Sequence, residues 1–261
     1  MDLELEGKRA LVTGASKGIG LAVARRLVTE GVAVVAGSRH SSPELDTLVN
    51  DGRVVHVGVD LSASEGPSQL VQEALSRGPI DILINNAGAV TPRLEGFTTI
   101  TDEEWSTTIN LTFMAAVRTT REVLRHMIDR KAGTIVNNVS VNATLPDPLV
   151  IDYSAAKAAL ANFSKALSKE VGPLGIRVNA VSPGPVSTEL WLGAEGVAAT
   201  VSAAQGSDAR DVAGGAVKDT ATGRFTSPEE VAELIVFLAS GRASNVTGAN
   251  YVIDGGLIQD L

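Results

Sequence analysis

The chain has 261 residues, a formal net charge of −8 and no cysteine. The missing cysteines exclude disulfides, thiolate chemistry and cysteine-based zinc sites, and the acidic balance excludes a broad nucleic-acid footprint, which needs clustered cations. Hydrophobic residues make up 44% but aromatics only 3%, so the core must be built from Ala, Val, Leu and Ile, as in a parallel sheet covered on both faces.

Asp2, Glu4 and Glu6 follow Met1 in place of a basic-then-apolar signal segment, and no apolar run approaches the ~20 residues that span a bilayer. A soluble cytoplasmic protein without membrane partners is expected. Arg9–Val12 reads as a strand, Ile19–Glu30 as a helix stopped by Gly31, and Val32–Ala36 as a second strand. Further strands are expected at Val54–Val59, Ile80–Ile84, Thr134–Val139, Ile176–Val181 and Ala249–Ile253, with helices at about Ser68–Ser76, Glu103–Arg130, Asp152–Val171 and Pro228–Ala239. The last has a clear start: Ser227 as cap, Pro228 in the first turn and Glu230 completing a capping box. Such alternation predicts an α/β fold, a Rossmann-like doubly wound parallel sheet of seven strands with helices on both faces. One domain over residues 1–261 is the economical organisation, with residues 186–223, rich in Ala, Gly, Ser and Thr, as a lid.

Leu11-Val12-Thr13 leads directly into the turn Gly14-Ala15-Ser16-Lys17-Gly18-Ile19-Gly20. A strand, glycine-rich turn and helix in succession aim backbone N–H groups and a positive helix end at a pyrophosphate. The second strand runs out in Ala36-Gly37-Ser38-Arg39, without the acid that would accept from an NAD ribose hydroxyl. Arg39 and Lys17 are instead expected to meet a ribose phosphate, which points to NADP(H). Asp60 and Leu61 follow the third strand as candidate adenine contacts, and the small residues of Asn85-Asn86-Ala87-Gly88 would let the cofactor cross the sheet while the amides tie strand ends together. His40, His56 and His126 make no metal-ligand pattern.

Tyr153 and Lys157 are four residues apart and so share a helical face, and Ser140 precedes the tyrosine by thirteen. A phenol beside an ammonium and an oxidised nicotinamide is expected to titrate below its ordinary value of about 10. Together with the dinucleotide turn, this spacing describes proton transfer beside a hydride.

In the order and spacing of these motifs, together with Asn110, Pro183-Gly184 and Gly248-Ala249…Asp254-Gly255-Gly256, nearly the whole chain resembles the short-chain dehydrogenase/reductase family, in its single-domain NADP-preferring branch. The resemblance implies Tyr153 as general acid/base, Lys157 as its tuner and a ribose ligand, Ser140 as the group orienting a substrate carbonyl, and Asn110 as the holder of a relay water. It also implies that Pro183, Gly184, Val186 and Thr188 embrace the nicotinamide end, and that the chain forms dimers or tetramers. A departure is Asn137-Asn138-Val139 before Ser140, which is expected to change packing behind the site.

By position in that pattern, Val141, Ala143, Leu145, Leu149, Trp191 and Leu192, with Ser140 and Tyr153, are expected to line an apolar substrate pocket suited to a ketone or secondary alcohol. That favours a carbonyl reductase. The rival is a 3-oxoacyl-acyl-carrier-protein reductase, for which Arg130-Lys131 would supply a cationic patch toward an acidic carrier protein. A non-catalytic NADP(H) sensor would not need the full set of proton-handling groups.

Overall fold

Alternate residues of each strand face opposite sides of the sheet, and here both sides are buried. The computed structural model describes residues 2–259. Among them, seven strands form one all-parallel sheet: β1 (Arg9–Thr13), β2 (Ala33–Ser38), β3 (Val54–Gly58), β4 (Ile82–Asn85), β5 (Gly133–Asn138), β6 (Ile176–Pro183) and β7 (Asn250–Ile253). Their order is 3-2-1-4-5-6-7.

On one side, Ala10, Val12, Val34, Ala36 and Ile84 pack under α1 (Gly18–Thr29) and the C-terminal helix Pro228–Ala239, through Val23, Leu27, Val231 and Ile235. On the other, Leu11, Val35, Leu83 and Ile135 meet Leu70, Val123, Met127 and Val171, which lie on α3 (Gly66–Ser76), α5 (Ala115–Arg130) and α6 (Ile151–Val171). The split follows strand parity, with Leu11 on one side and its neighbours Ala10 and Val12 on the other. Beta-branched and aliphatic side chains fill both layers, as the scarcity of aromatics requires.

The expected strands are all present, with bounds shifted by a few residues. Three features differ. A helix α2 (Pro43–Asn50) separates β2 from β3; its start signal is Ser42, whose hydroxyl accepts the Leu45 N–H, followed by Pro43. The single helix expected over Glu103–Arg130 is α4 (Asp102–Ile109) and α5 joined by a π turn at Asn110–Met114, in which the Ala115 N–H reaches back to the Asn110 carbonyl. That wider turn is a registry change inside one helical path, invisible to a periodicity argument. The segment after β6 folds into α7 (Glu189–Leu192), α8 (Val197–Gln205) and α9 (Ala209–Val217), and α10 is Pro228–Ala239. No helix among the described residues is long and apolar enough to cross a membrane.

α10 carries the expected capping box: Ser227 Oγ accepts the Glu230 N–H at 3.2 Å and Glu230 accepts the Ser227 N–H at 2.8 Å. Ser227→Ala is expected to cost about 1 kcal/mol, read as a lowered urea midpoint with an unchanged slope.

Candidate active site

β1 lies between β2 and β4, so the chain leaves β1 in one direction and returns on its other side. At such a switch point the carboxyl ends of the strands open into a crevice. The glycine-rich turn after β1 and the Asn86–Gly88 segment after β4 form its walls. Gly14 and Gly18 adopt φ of 66° and 55°, the left-handed region open to glycine. A Cβ on Gly14 would stand 2.9 Å from the Ala87 Cα, and one on Gly20 would overlap the Gly14 carbonyl oxygen. No side chain caps α1 and no acid occupies its first turn, whereas α4 and α10 both begin with capping boxes. An uncapped, positively polarised helix start behind a glycine turn fits a diphosphate.

A cavity of about 700 Å³ extends from this turn past Asn86–Gly88 to Ser140, Tyr153 and Lys157. Of the residues expected to hold a cofactor, Gly14, Ser16, Lys17, Gly18, Ile19, Ser38, Arg39, Asp60, Leu61, Asn86, Ala87, Gly88, Pro183, Gly184, Val186 and Thr188 line it. Gly20 does not; it packs behind the turn. Ser38 Oγ is engaged by the His40 carbonyl and the His56 ring, each at 2.9 Å. Asp60 closes a turn by accepting from the Ser62 N–H and hydroxyl. Those two bonds, and to a smaller degree the charge of Arg39, hold its carboxyl below the usual range. Lys17 is turned toward the start of α7, where its ammonium pairs with Glu189 at 3.1 Å and the Thr188 methyl lies against Gly18. The segment His40–Glu44, which leads into α2, also lines the cavity; the Ser42-Pro43 cap signal could have revealed it.

Side-chain amides set the floor. Thr13 Oγ1 accepts the N–H groups of Asn86 and Ala87, Asn86 Nδ2 donates to the Thr13 and Gly14 carbonyls, and Asn138 Nδ2 donates to Asn86 Oδ1 at 2.9 Å. The expected departure at Asn138 therefore joins β4 to β5 at the cavity edge. Its carbonyl accepts from the Lys157 ammonium at 2.6 Å.

Tyr153 and Lys157 sit one turn apart near the start of α6. The Lys157 nitrogen is 5.5 Å from the centre of the Tyr153 ring, and the Ser140 hydroxyl acts on the Tyr153 phenol. The expectation that Tyr153 titrates low is not met within the chain: burial pushes its hydroxyl up to about 12, against a smaller lowering by Ser140. Burial likewise pushes Lys157 down to about 7. Burial disfavours the charged form of each.

A buried clamp fixes the start of α6. Arg93 bonds Asp152 at 2.5 Å and Glu104 at 2.7 Å, Thr108 adds a bond to Asp152 at 2.7 Å, and Asp152 Oδ1 accepts the Tyr153 N–H at 3.0 Å. Asn110 stands apart from the cavity wall, with its side chain bonded to Arg118 at 3.0 Å.

Only part of the expected substrate set reaches the cavity. Leu149 and Trp191 line the cavity, but Val141 and Ala143 are turned inward by the tight Val141–Ala143 turn, and Leu145 and Leu192 are about half exposed outside it. Asn142, Asp147 and Glu189 also line the wall, beside Val150, Leu190 and Val197. A three-residue turn reverses side-chain direction in a way that family spacing alone does not encode.

A family model described as short chain dehydrogenase matches residues 8–195. The chain is 34% identical to an uncharacterized oxidoreductase, YvrD, of Bacillus subtilis, with all of both chains covered. It is also 34% identical to the 3-oxoacyl-acyl-carrier-protein reductase FabG of Vibrio harveyi, over 98% of this chain and 99% of that one. Among solved structures, the L-sorbose reductase of Gluconobacter frateurii, complexed with NADPH and L-sorbose, superposes with a TM-score of 0.91 at 36% identity over all of both chains. Fold, crevice and sequence agree: the chain belongs to the short-chain dehydrogenase/reductase family.

Proposed function

We propose that this protein is an NADP(H)-dependent oxidoreductase that interconverts a ketone and a secondary alcohol. The observation that carries the reading is the convergence of Ser140, Tyr153 and Lys157 at one end of a cavity whose other end is the glycine-rich turn. Arg39, at the end of a β2 that carries no acid, supports the phosphorylated cofactor, as does the NADPH bound by the sorbose reductase. Gly14–Ile19 would hold the diphosphate, Asp60 and Leu61 the adenine end, and Pro183, Gly184, Val186 and Thr188 the nicotinamide end.

In the reducing direction the bound cofactor supplies a hydride to the carbonyl carbon. Negative charge then grows on the carbonyl oxygen. Ser140 stabilises it by donating a hydrogen bond, and Tyr153 delivers the proton that completes the alcohol. Tyr153 with a value of about 12 is a neutral phenol at physiological pH, the form that can donate. Lys157, pushed down to about 7 by burial, can take up and release a proton in the same range. Residues 186–223 act as the lid. The Asp102–Arg130 and Ile151–Val171 helices form the contact face of a homo-oligomer, which would cover the half-buried Phe113–Phe163 pair.

The carrier-protein reading loses support at Arg130. Its guanidinium is tied to Asp81 and to the Ile80 carbonyl, which leaves Lys131 as the remaining cation of the expected patch.

Tyr153→Phe is expected to lower NADPH-dependent turnover of a ketone by about 10²–10⁴ while NADPH binding, followed by fluorescence, stays nearly unchanged; retained turnover would count against the role of the phenol. Arg39→Ala is expected to reduce the NADPH-over-NADH preference in kcat/KM by about tenfold or more, and an unchanged ratio would remove Arg39 from phosphate recognition. Lys157 falls from an ordinary 10.5 to about 7 on folding, so the native protein holds fewer protons than the unfolded chain between those values. Its contribution to stability is full above the ordinary value and is lost as pH falls through the folded one. Relative to Lys157→Met, the ligand-free wild type is therefore expected to gain on the order of a few kcal/mol between pH 7 and 10, measured by denaturant unfolding; a pH-independent difference would contradict the assignment.

A further inference from the structure

Ser140 directs its one donor within the chain. Its Oγ accepts the Asn142 N–H at 3.2 Å and donates to Asn142 Oδ1 at 3.1 Å. A serine hydroxyl has one donor and two acceptor positions. The proton that must turn toward a substrate carbonyl is therefore already held by Asn142.

Asn142 is fixed from behind. Its Nδ2 donates to Ser154 Oγ at 3.4 Å, and Ser154, buried in the first turns of α6, also accepts the Asp147 N–H at 3.3 Å. These bonds keep Oδ1 directed at Ser140 on the cavity wall. When Ser140 releases its proton to a carbonyl, Oδ1 loses its donor in a part-buried site. A lost partner there weakens binding unless the ligand replaces it.

The carbonyl oxygen and Asn142 Oδ1 are then both one hydrogen bond from Ser140 Oγ. A donor on the carbon next to the carbonyl spans that gap; a C–H there does not. We propose that the substrate is an α-hydroxy ketone, whose hydroxyl donates to Asn142 Oδ1 and thereby frees the Ser140 proton for the carbonyl oxygen. In the oxidising direction the substrate is the corresponding vicinal diol. Asn142 is then the residue that separates hydroxy ketones from plain ketones and from thioesters, which carry no donor at that carbon. The inference rests on the ketone-reducing reading of the site.

The test measures NADPH oxidation by the purified protein with three ketones. Hydroxyacetone carries the donor. 2-Butanone replaces the hydroxyl with a methyl group of similar size. Methoxyacetone keeps the electron-withdrawing oxygen but has no donor. In the wild type, kcat/KM for hydroxyacetone is expected to exceed both others by about tenfold or more. Asn142→Ala should bring these ratios toward one, whatever happens to the absolute rates. Asn142→Asp, which retains an acceptor, should preserve the preference for hydroxyacetone. Wild-type ratios near one, or ratios that survive Asn142→Ala, overturn the inference and leave the ketone reading standing. If NADPH binds but no ketone is reduced, the ketone reading fails and the inference fails with it.

Discussion

Polar side chains tie the carboxyl ends of β1, β4 and β5 together. Thr13, Asn86 and Asn138 bond in series across the three strands, and Lys157 closes the series from α6 through the Asn138 carbonyl. A second amide layer lies deeper: Asn85 donates to Asn137 and Thr120, and Asn137 donates to Ser164 on α6. Buried polar groups are costly when unpaired and rigid when paired. The layers therefore fix the height of α6 above the sheet, and with it the positions of Tyr153 and Lys157. The glycine turn is held by the same bonds, since Asn86 reaches the Gly14 carbonyl.

This framework also explains the shifted ionisation of the two groups. Burial of the two side chains against these groups leaves either charge poorly solvated. The attraction expected between an ammonium and a phenolate is present only when both are charged. In the folded chain burial favours the neutral phenol and moves the lysine toward neutrality. The arrangement suits a site whose task is to pass one proton along a short path and not to store charge.

Much of this was legible in the sequence because it depends on chain order. Alternating apolar runs gave the parallel sheet, and the glycine spacing after β1 located the crevice, since only glycine tolerates the backbone approach at Gly14 and Gly20. The Ser227–Glu230 cap was read from four residues and is present as read. What escaped was local geometry that spacing does not carry. The π turn at Asn110 changes helical register without altering composition. The short turn after Ser140 exchanges the expected Val141 and Ala143 for Asn142 on the cavity wall. Helix α2 was marked by Ser42-Pro43 but is only eight residues long, too short for its periodicity to stand out.

The contact between the glycine turn and α7 has a further consequence. Lys17 grips Glu189, and Gly18 lies under Thr188, immediately before Leu190 and Trp191 on the cavity wall. One short segment thus borders both the phosphate end and the far end of the cavity. An ion pair this exposed contributes little by itself, but any shift of the segment by a ligand at one end acts on the other, and thermodynamic reciprocity makes that effect equal in both directions. Were the two ends coupled in this way, a dissociation constant measured for one ligand alone would describe only half of the equilibrium.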